Sequence, residues 1–374
     1  MSRDHLIVEP VKDRKGLREF IRLPWRVYQD DPYWVPPLLS EQKVLFNQYK
    51  NPFYRHARVE LFLGIRDHKV VGRIAAFVND NHNTFHQDRV GFFGFFECLK
   101  DEQASNMLLS TARDWLNEQG MDTMRGPLNF STNEECALLI DGFDSSPVIM
   151  MTYNPRYYVD FMDGFGLEKG RDLLAYSMQK DDAPPEHLQS TLEKIRQRVG
   201  ITIRPLNMKD FQSEIQRVKE VYNLAWSRNW GFVPMTDEEI IHMANQLKKI
   251  IDPDIVFFAE INDRPIGFSL ALPDINQALK KINGRLFPFG LLKLLWHVKK
   301  IDGVRVPILG VIHEYQNKGV AAMFGVETFK AGTKKGYIRG EMSWILEDND
   351  LMIKALERMG ARVYKTYRIY EMAI

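Results

Sequence analysis

A chain of 374 residues that is 45% hydrophobic can bury one large core or two ordinary ones. Its 50 basic and 49 acidic residues leave a net charge of +1, a balance that gives no footprint for a polyanion such as nucleic acid. Two cysteines, Cys98 and Cys136, form neither a metal-ligand spacing nor a disulfide framework, which suits a reducing cytoplasm and implies no metal.

In chain order, the N-terminus MSRDHLIVEPVKDRKGLREF is charged throughout and does not read as a signal peptide. Residues 6–9 read as a strand and 13–23 as a short helix. The aromatic, proline-rich segment 25–37 (WRVYQDDPYWVPP) reads as a packed loop. Residues 59–65 and 69–79 flank Arg66-Asp67-His68 as a β-hairpin, and 90–99 is apolar enough for a central strand. A helix over 103–117 ends at Gly120, a strand covers 123–128, a helix 154–164 and a closing strand 173–179. After the polar linker 180–186 comes a second series. It has a strand at 201–204, helices at 210–226 and 237–250, and a hairpin of 255–261 and 265–272. No run of about 18 apolar residues offers a membrane span.

Residues 304–321, VRVPILGVIHEYQNKGVA, organise the C-terminal part of the chain. The first half is apolar and partly β-branched, as a buried strand is. The second half, Gln316-Asn317-Lys318-Gly319-Val320-Ala321, is a small-residue turn running into a helical pattern over 322–335. Strand, glycine turn and helix N-terminus together leave backbone N–H groups pointing outward, beside the positive end of the helix dipole. That suits an anion such as a pyrophosphate, and a side chain at Gly319 would block its approach. Residues 341–346 read as the next strand. Asn349 opens a helix ending at Met359-Gly360-Ala361, and 363–371 gives a last strand pair.

Gln316-x-x-Gly319-x-Ala321 after an apolar strand resembles the Q/R-x-x-G-x-G/A turn of the GNAT superfamily of acyl-CoA N-acyltransferases, and the order of elements around it is similar too. Both series fit that order. The resemblance therefore implies an α/β (α+β) chain of two GNAT-like domains in tandem, each a mixed, mostly antiparallel sheet flanked by helices. They would cover residues 1–180, a degenerate domain on the acceptor side, and 187–374 on the acyl-CoA side, with an insertion at 273–303. Aligned on the helix-ending Gly120 and Gly336, the first copy has Lys100, Gln103 and Ser105 where the second has Gln316, Gly319 and Ala321. The first copy has lost the glycine. Three blocks also resemble the bacterial ceramide synthase family, whose members acylate the amine of a sphingoid base. They are FIRLPWRVYQDDPYWVPPL, RGPLNFSTNEECALLIDGFDSSPVIMMTYNPRYY and WSRNWGFVPMT.

By that resemblance, acyl-CoA as co-substrate would contact Leu309, Val311, Gln316, Asn317, Lys318, Gly319, Val320, Ala321 and Asn349. The thioester carbonyl would meet the N–H of Gly310, Val311 or Ile312, an oxyanion-type contact. The superfamily's tyrosine, four residues before a helix-ending glycine, is absent, because Leu356 and Met162 stand there. Tyr315, a water or an unassisted thiolate remain alternatives, as does a non-catalytic acyl-CoA or lipid-binding protein. Three groups at strand ends are candidates for the base: Asp274, His313 and Glu341. Each also has an ordinary reading: helix cap, solvated or phosphate-contacting residue, and partner of a nearby base. Within 125–158, Asn129, Glu134, Glu135, Tyr153 and Asn154 could line a pocket for the acceptor's ammonium and hydroxyls. Such loops also commonly satisfy their own backbone. The acceptor is a lipid amine on this reading, and a small-acyl acetyltransferase on a metabolite or protein amine is the alternative. The insertion carries Phe289, Leu292, Leu295 and Trp296 beside Lys293, Lys299 and Lys300. It reads as a helix packed on the other domain, or as a lid or acyl-chain tunnel touching the inner membrane face through 286–300.

Overall fold

Phenylalanine, valine and alanine crowd the strands of the first unit because both faces of its sheet are covered. The computed structural model describes residues 5–374, so Met1 to Asp4 of the charged N-terminal segment lie outside the described residues. One unit comprises Met1–Asp172, Leu279–Leu294 and Tyr367–Ile374, and the other Leu173–Ala278 and Leu295–Thr366.

In the first unit, β1 (Leu6–Pro10), β2 (Ala57–Arg66), β3 (Lys69–Asn79) and β4 (Val90–Cys98) are antiparallel neighbours. β4 then pairs in parallel with β5 (Thr123–Gly126). The helix Glu102–Glu118 makes the crossover that a parallel pair requires. Its Leu108, Leu109, Ala112 and Leu116 are wholly buried in the core. β6 (Leu138–Asp141) and β7 (Glu168–Gln179) follow.

The second unit repeats the plan. The end of β7 is followed by β8 (Thr202–Pro205), β9 (Val256–Ile261), β10 (Arg264–Pro273), β11 (Gly303–Val311), β12 (Arg339–Leu346) and the start of β13 (Arg362–Ala373). The residues of β13 from Tyr367 belong to the first unit, where Tyr370 to Ala373 pair with β5. The sheet order is β7-β12-β11-β10-β9-β8, and β11 with β12 is its parallel pair. The helix Val320–Lys334 makes the crossover. The expected α/β class, with mixed and mostly antiparallel strand pairing, is observed, although the strands join in one 13-stranded sheet where two were expected.

Several elements differ from expectation. Residues 363–371 are not a strand pair but part of the single long strand β13. A helix, Glu186–Val199, begins at the end of the supposed linker and precedes the strand at 202. Its Leu188, Leu192, Ile195 and Val199 pack on the core of the second unit at helical spacing. The segment 25–37 starts with a short helix, Pro24–Val27, before the loop. There Trp34 stacks on Tyr28, with centroids 4.9 Å apart. Strand 123–128 stops at Gly126, and the helix expected from 154 starts at Tyr157.

The first core encloses a charge. Glu97 on β4 accepts from the Tyr158 hydroxyl at 2.9 Å and faces Arg73 at 3.7 Å, while Arg73 donates to the Phe20 carbonyl at 2.6 Å. Burial pushes the Glu97 carboxyl up to about 7, with Arg73 and two tyrosine hydroxyls pulling the other way. The folded state thus holds a proton on Glu97 that the unfolded chain releases near its ordinary value of 4.5. Stability from this group is present at low pH and is lost as pH rises through about 7. Replacing Glu97→Gln should flatten the stability–pH curve over that window by roughly 3 kcal/mol. Urea denaturation of both proteins at several pH values checks this, and parallel curves would refute it.

Candidate functional site

β11 and β12 pair only from Gly303–Arg339 to Val306–Met342, although both strands continue. The cause lies in each strand. The β10–β11 register slips between Leu270 and Leu272, opposite the segment containing Val306 and Pro307. The β12–β7 register slips between Met342 and Ile345. Bulges bend strands, and Pro307 has no N–H for a ladder. The strands therefore part beyond Val306.

The parity of β11 decides what faces the parting. Ile312 N–H donates to the Ile266 carbonyl at 3.0 Å. Antiparallel alternation then directs the N–H groups of Gly310 and Ile308 toward β10, and those of Leu309 and Val311 toward the parted side. Of the three backbone donors considered for an oxyanion contact, Ile312 is engaged, Gly310 faces β10, and Val311 faces the gap. A Cβ on Gly310 would overlap the Trp226 indole, so that ring lies directly on the strand.

Past the strand, Gln316 Nε2 donates to the Val311 carbonyl at 3.1 Å and pins a short 3-10 turn, His313–Lys318. Gly319 follows at φ +74, a left-handed value that favours glycine, and a Cβ there would stand 2.9 Å from Leu192 Cδ2. Gly319 is the N-cap of Val320–Lys334, and no side chain caps this helix. The first helical bond runs from Met323 N–H to the Gly319 carbonyl at 2.9 Å. The N–H groups of Val320, Ala321 and Ala322 therefore lie at the open end of the helix. Asn317 and Lys318 are exposed beside it, with the Lys318 ammonium 5.0 Å from the Tyr315 ring centroid. Asn349 caps the next helix, accepting from Met352 N–H at 3.2 Å, so its side-chain oxygen is occupied.

The three candidate bases do not converge. Asp274 is buried where β10 meets the start of β11, its N–H on the Gly303 carbonyl at 2.9 Å. His313 follows the far end of β11, ten residues beyond Gly303, or about 33 Å of extended chain. Its ring is half-buried and its Nε2 lacks a hydrogen-bond partner. Glu341 sits opposite Arg305 and is 3% exposed. The Ser343 hydroxyl donates to Glu341 Oε1 at 2.5 Å, and the Tyr364 hydroxyl donates to Oε2. Arg305 Nε donates to Ser343 Oγ at 3.0 Å and Nη2 to the Ser343 carbonyl at 3.1 Å, with Nε 3.9 Å from the Glu341 carboxylate. Both oxygens of Glu341 are thus engaged in a network at the root of the parting. Arg305, Ser343 and Tyr364 were missed in the sequence. The available signal was an arginine and a glutamate inside adjacent, otherwise buried strands, where a charge needs a partner.

The first unit shows the same parting, closed. β4 leaves β5 after Phe92, but Leu128 N–H donates to the Phe93 carbonyl at 2.8 Å and Phe95 N–H to Asn129 Oδ1 at 2.9 Å. Asp101 caps the helix Glu102–Glu118, accepting from Ala104 N–H at 3.0 Å, and is held by Arg66 at 2.8 Å. A carboxylate occupies the place that an anion would take. The structure also corrects the alignment of the copies. The first helix has 17 residues and the second 15, so matching their ends displaced their starts by two, and Asp101 rather than Gln103 stands in the place of Gly319.

The residues considered for an acceptor pocket are largely braces. Asn129 fills the first parting. Asn154 exchanges bonds with the Leu139 backbone at 2.7 and 3.1 Å and is 4% exposed. Tyr153 donates to Asp31 at 2.9 Å. Glu134 is half-buried, and its charge acts with burial to raise the Tyr54 hydroxyl pKa. Glu135 is exposed, 3.4 Å from Asn129 Nδ2.

No protein-family model matches the chain. Protein YghO of Escherichia coli K12 is 38% identical over 98% of this chain and 95% of its own. The bacterial ceramide synthase of Caulobacter vibrioides is 37% identical over 99% and 98%. The chain belongs to the bacterial ceramide synthase-like family of tandem GNAT proteins. Among solved structures, a tandem GNAT protein from the clavulanic acid pathway superimposes with a TM-score of 0.56 at 10% identity. That match covers 99% of this chain and 98% of the other. This agreement in fold accompanies the closer sequence relatives, and the protein is an acyltransferase.

Because Arg305 and Glu341 are both buried, removing one leaves the other charge uncompensated. Glu341→Ala should destabilise the second unit by about 3–5 kcal/mol. Guanidinium denaturation followed by tryptophan fluorescence measures it, and a loss below about 1 kcal/mol would refute the coupling.

Proposed function

We propose that this protein transfers an acyl group from a coenzyme A thioester to a primary amine, and that the second unit binds the thioester. The observation that carries this reading is the conjunction of an uncapped helix start at Gly319 with strand N–H groups facing a gap at Leu309 and Val311. The pyrophosphate would be held by the amides of Val320 and Ala321, with Asn317 and Lys318 beside them. The pantetheine amides would complete β11 as a strand does, and Val311 N–H would polarise the thioester carbonyl. Trp226 against Gly310 supplies a rigid wall.

The acceptor we favour is a lipid amine of the sphingoid type. The support is the name of the Caulobacter relative, matched along nearly its whole length. No proton-accepting side chain is assigned, since Asp274 and Glu341 lie at the other end of β11 from His313. The domains proposed for the two substrates are residues 1–180 for the acceptor and 187–374 for the thioester. We place the protein in the cytoplasm.

Replacing Gly319→Asp copies into the second unit the carboxylate that caps the first. A side chain in left-handed backbone costs about 1–2 kcal/mol, and the Leu192 side chain must shift to admit it, so a modest loss of thermal stability should accompany the change. Calorimetric affinity for a long-chain acyl-CoA should fall at least roughly a hundredfold, because the phosphates lose their amides and meet a negative charge. Unchanged affinity would overturn the proposed site. Mass spectrometry of lipids from cells with and without the protein tests the acceptor.

A further inference from the structure

Residues 285–300 carry their apolar side chains outward. Phe287 is 83% exposed, Phe289 and Leu292 67%, Trp296 57% and Leu295 56%, and no residue of the helix Gly290–Val298 is buried. The half-buried positions, Gly290, Leu294 and His297, share one narrow side of the helix. A soluble surface helix normally has the reverse arrangement. The preceding segment is firmly tied down: Trp25 Nε1 donates to Asn283 Oδ1 at 2.9 Å, and Leu39 N–H to the Gly284 carbonyl at 3.1 Å. Leu291 N–H closes on the Leu286 carbonyl at 2.8 Å. The apolar face is therefore presented on a fixed mount.

Charge identifies what it meets. Between Asp274 and Asp302 there is no acidic residue, while Lys280, Lys281, Arg285, Lys293, Lys299 and Lys300 fall in that interval. In a chain of net charge +1, this is a local concentration of positive charge. Lys280 is held by Ser146 Oγ at 2.8 Å, but Arg285, Lys293, Lys299 and Lys300 are exposed around the apolar side chains. The Lys300 ammonium lies 3.3 Å from the Trp296 ring centroid, the aromatic-plus-cation pairing that sits at headgroup depth. No described helix is long and apolar enough to cross a membrane. Nine helical residues reach only about 13 Å, which suits the interface and not the span.

We propose that residues 285–300 dock the protein on an anionic phospholipid surface. The aromatic and leucine side chains enter the boundary between headgroups and acyl chains, and the basic residues contact lipid phosphates. This surface stands without the acyl-transfer reading. Where both hold, it sets the protein beside a store of amphiphilic amines.

Full-length protein mixed with phosphatidylcholine vesicles containing one-quarter phosphatidylglycerol should co-sediment with them, and 0.5 M salt should release it. Binding to pure phosphatidylcholine should be at least tenfold weaker. The exposed substitutions Leu292→Ser with Trp296→Ser should abolish binding, and Lys299→Ser with Lys300→Ser should lower it about thirtyfold, since each lysine contributes roughly fivefold. Both variants should keep the circular dichroism melt and the coenzyme A titration of the parent, which separates failure here from failure of the thioester site. Parent protein that stays in the supernatant with every vesicle overturns the proposal. So does equal binding to neutral and anionic vesicles. A lipid-free dimer that Leu292→Ser with Trp296→Ser converts to monomer would assign the face to a second copy of this chain instead.

Discussion

Two neighbouring parallel strands that stop pairing partway leave a row of polar backbone groups with nothing opposite, and the second unit is built around that fact. A buried carbonyl or N–H without a partner costs on the order of 1–3 kcal/mol, so each has to be answered. The protein answers the carbonyls itself. Gln316 Nε2 serves Val311, and Arg305 reaches the Ser343 carbonyl from the root of the parting. The N–H groups of Leu309 and Val311 face the gap. A gap into which strand donors look, with the Val311 carbonyl already answered, would suit a ligand that brings hydrogen-bond acceptors.

The first unit is the internal control for this argument. It has the same parallel pair, the same crossover helix and the same early end to pairing after Phe92. Yet Leu128 and Asn129 extend along β4 and take up its backbone groups, and Asp101 supplies its own anion to the helix start. Arg66 then balances the charge. Identical topology gives a filled scaffold in one place and an open donor row in the other. The difference comes from a few side chains at two positions, the helix cap and the residues following the second parallel strand.

Much of the architecture was legible because both series of strands advertise themselves by apolar runs with short hairpin turns. Asn262-Asp263-Arg264 and Arg66-Asp67-His68 each join strands where expected. The turn at Gly319 was legible for the same local reason, since only a glycine suits its backbone. What escaped was long-range. Glu186–Val199 hid behind the charged residues of its outer face, although its leucines and isoleucine kept helical spacing. Asn129 and Asn154 looked like pocket residues because an amide that braces a strand and an amide that binds a ligand have the same sequence appearance. Arg305 and Glu341 met through parallel pairing set by the crossover, which no short window contains. The apolar helix within residues 285–300 was legible, but the choice between a packed and an outward face stayed open, since burial depends on whether a neighbour exists.

Direction along β11 gives the proposed reaction an order. With phosphates at the amides after Gly319, the ligand would run antiparallel to the chain, past Val311 and then Leu309, toward Pro307. Each step of two residues along the strand advances about 6.6 Å, so the two inward N–H groups can serve polar groups separated by that interval. Beyond Leu309 the gap narrows to the point where pairing resumes at Val306, and there the Arg305–Glu341–Ser343 network closes it. In the proposed reaction the network would limit how far a thioester enters, a positioning role for groups that leave no spare hydrogen-bonding oxygen on Glu341. A buried ion pair seldom adds net stability over apolar packing, so the network's place at the root of the parting is read as setting the separation of the two strands.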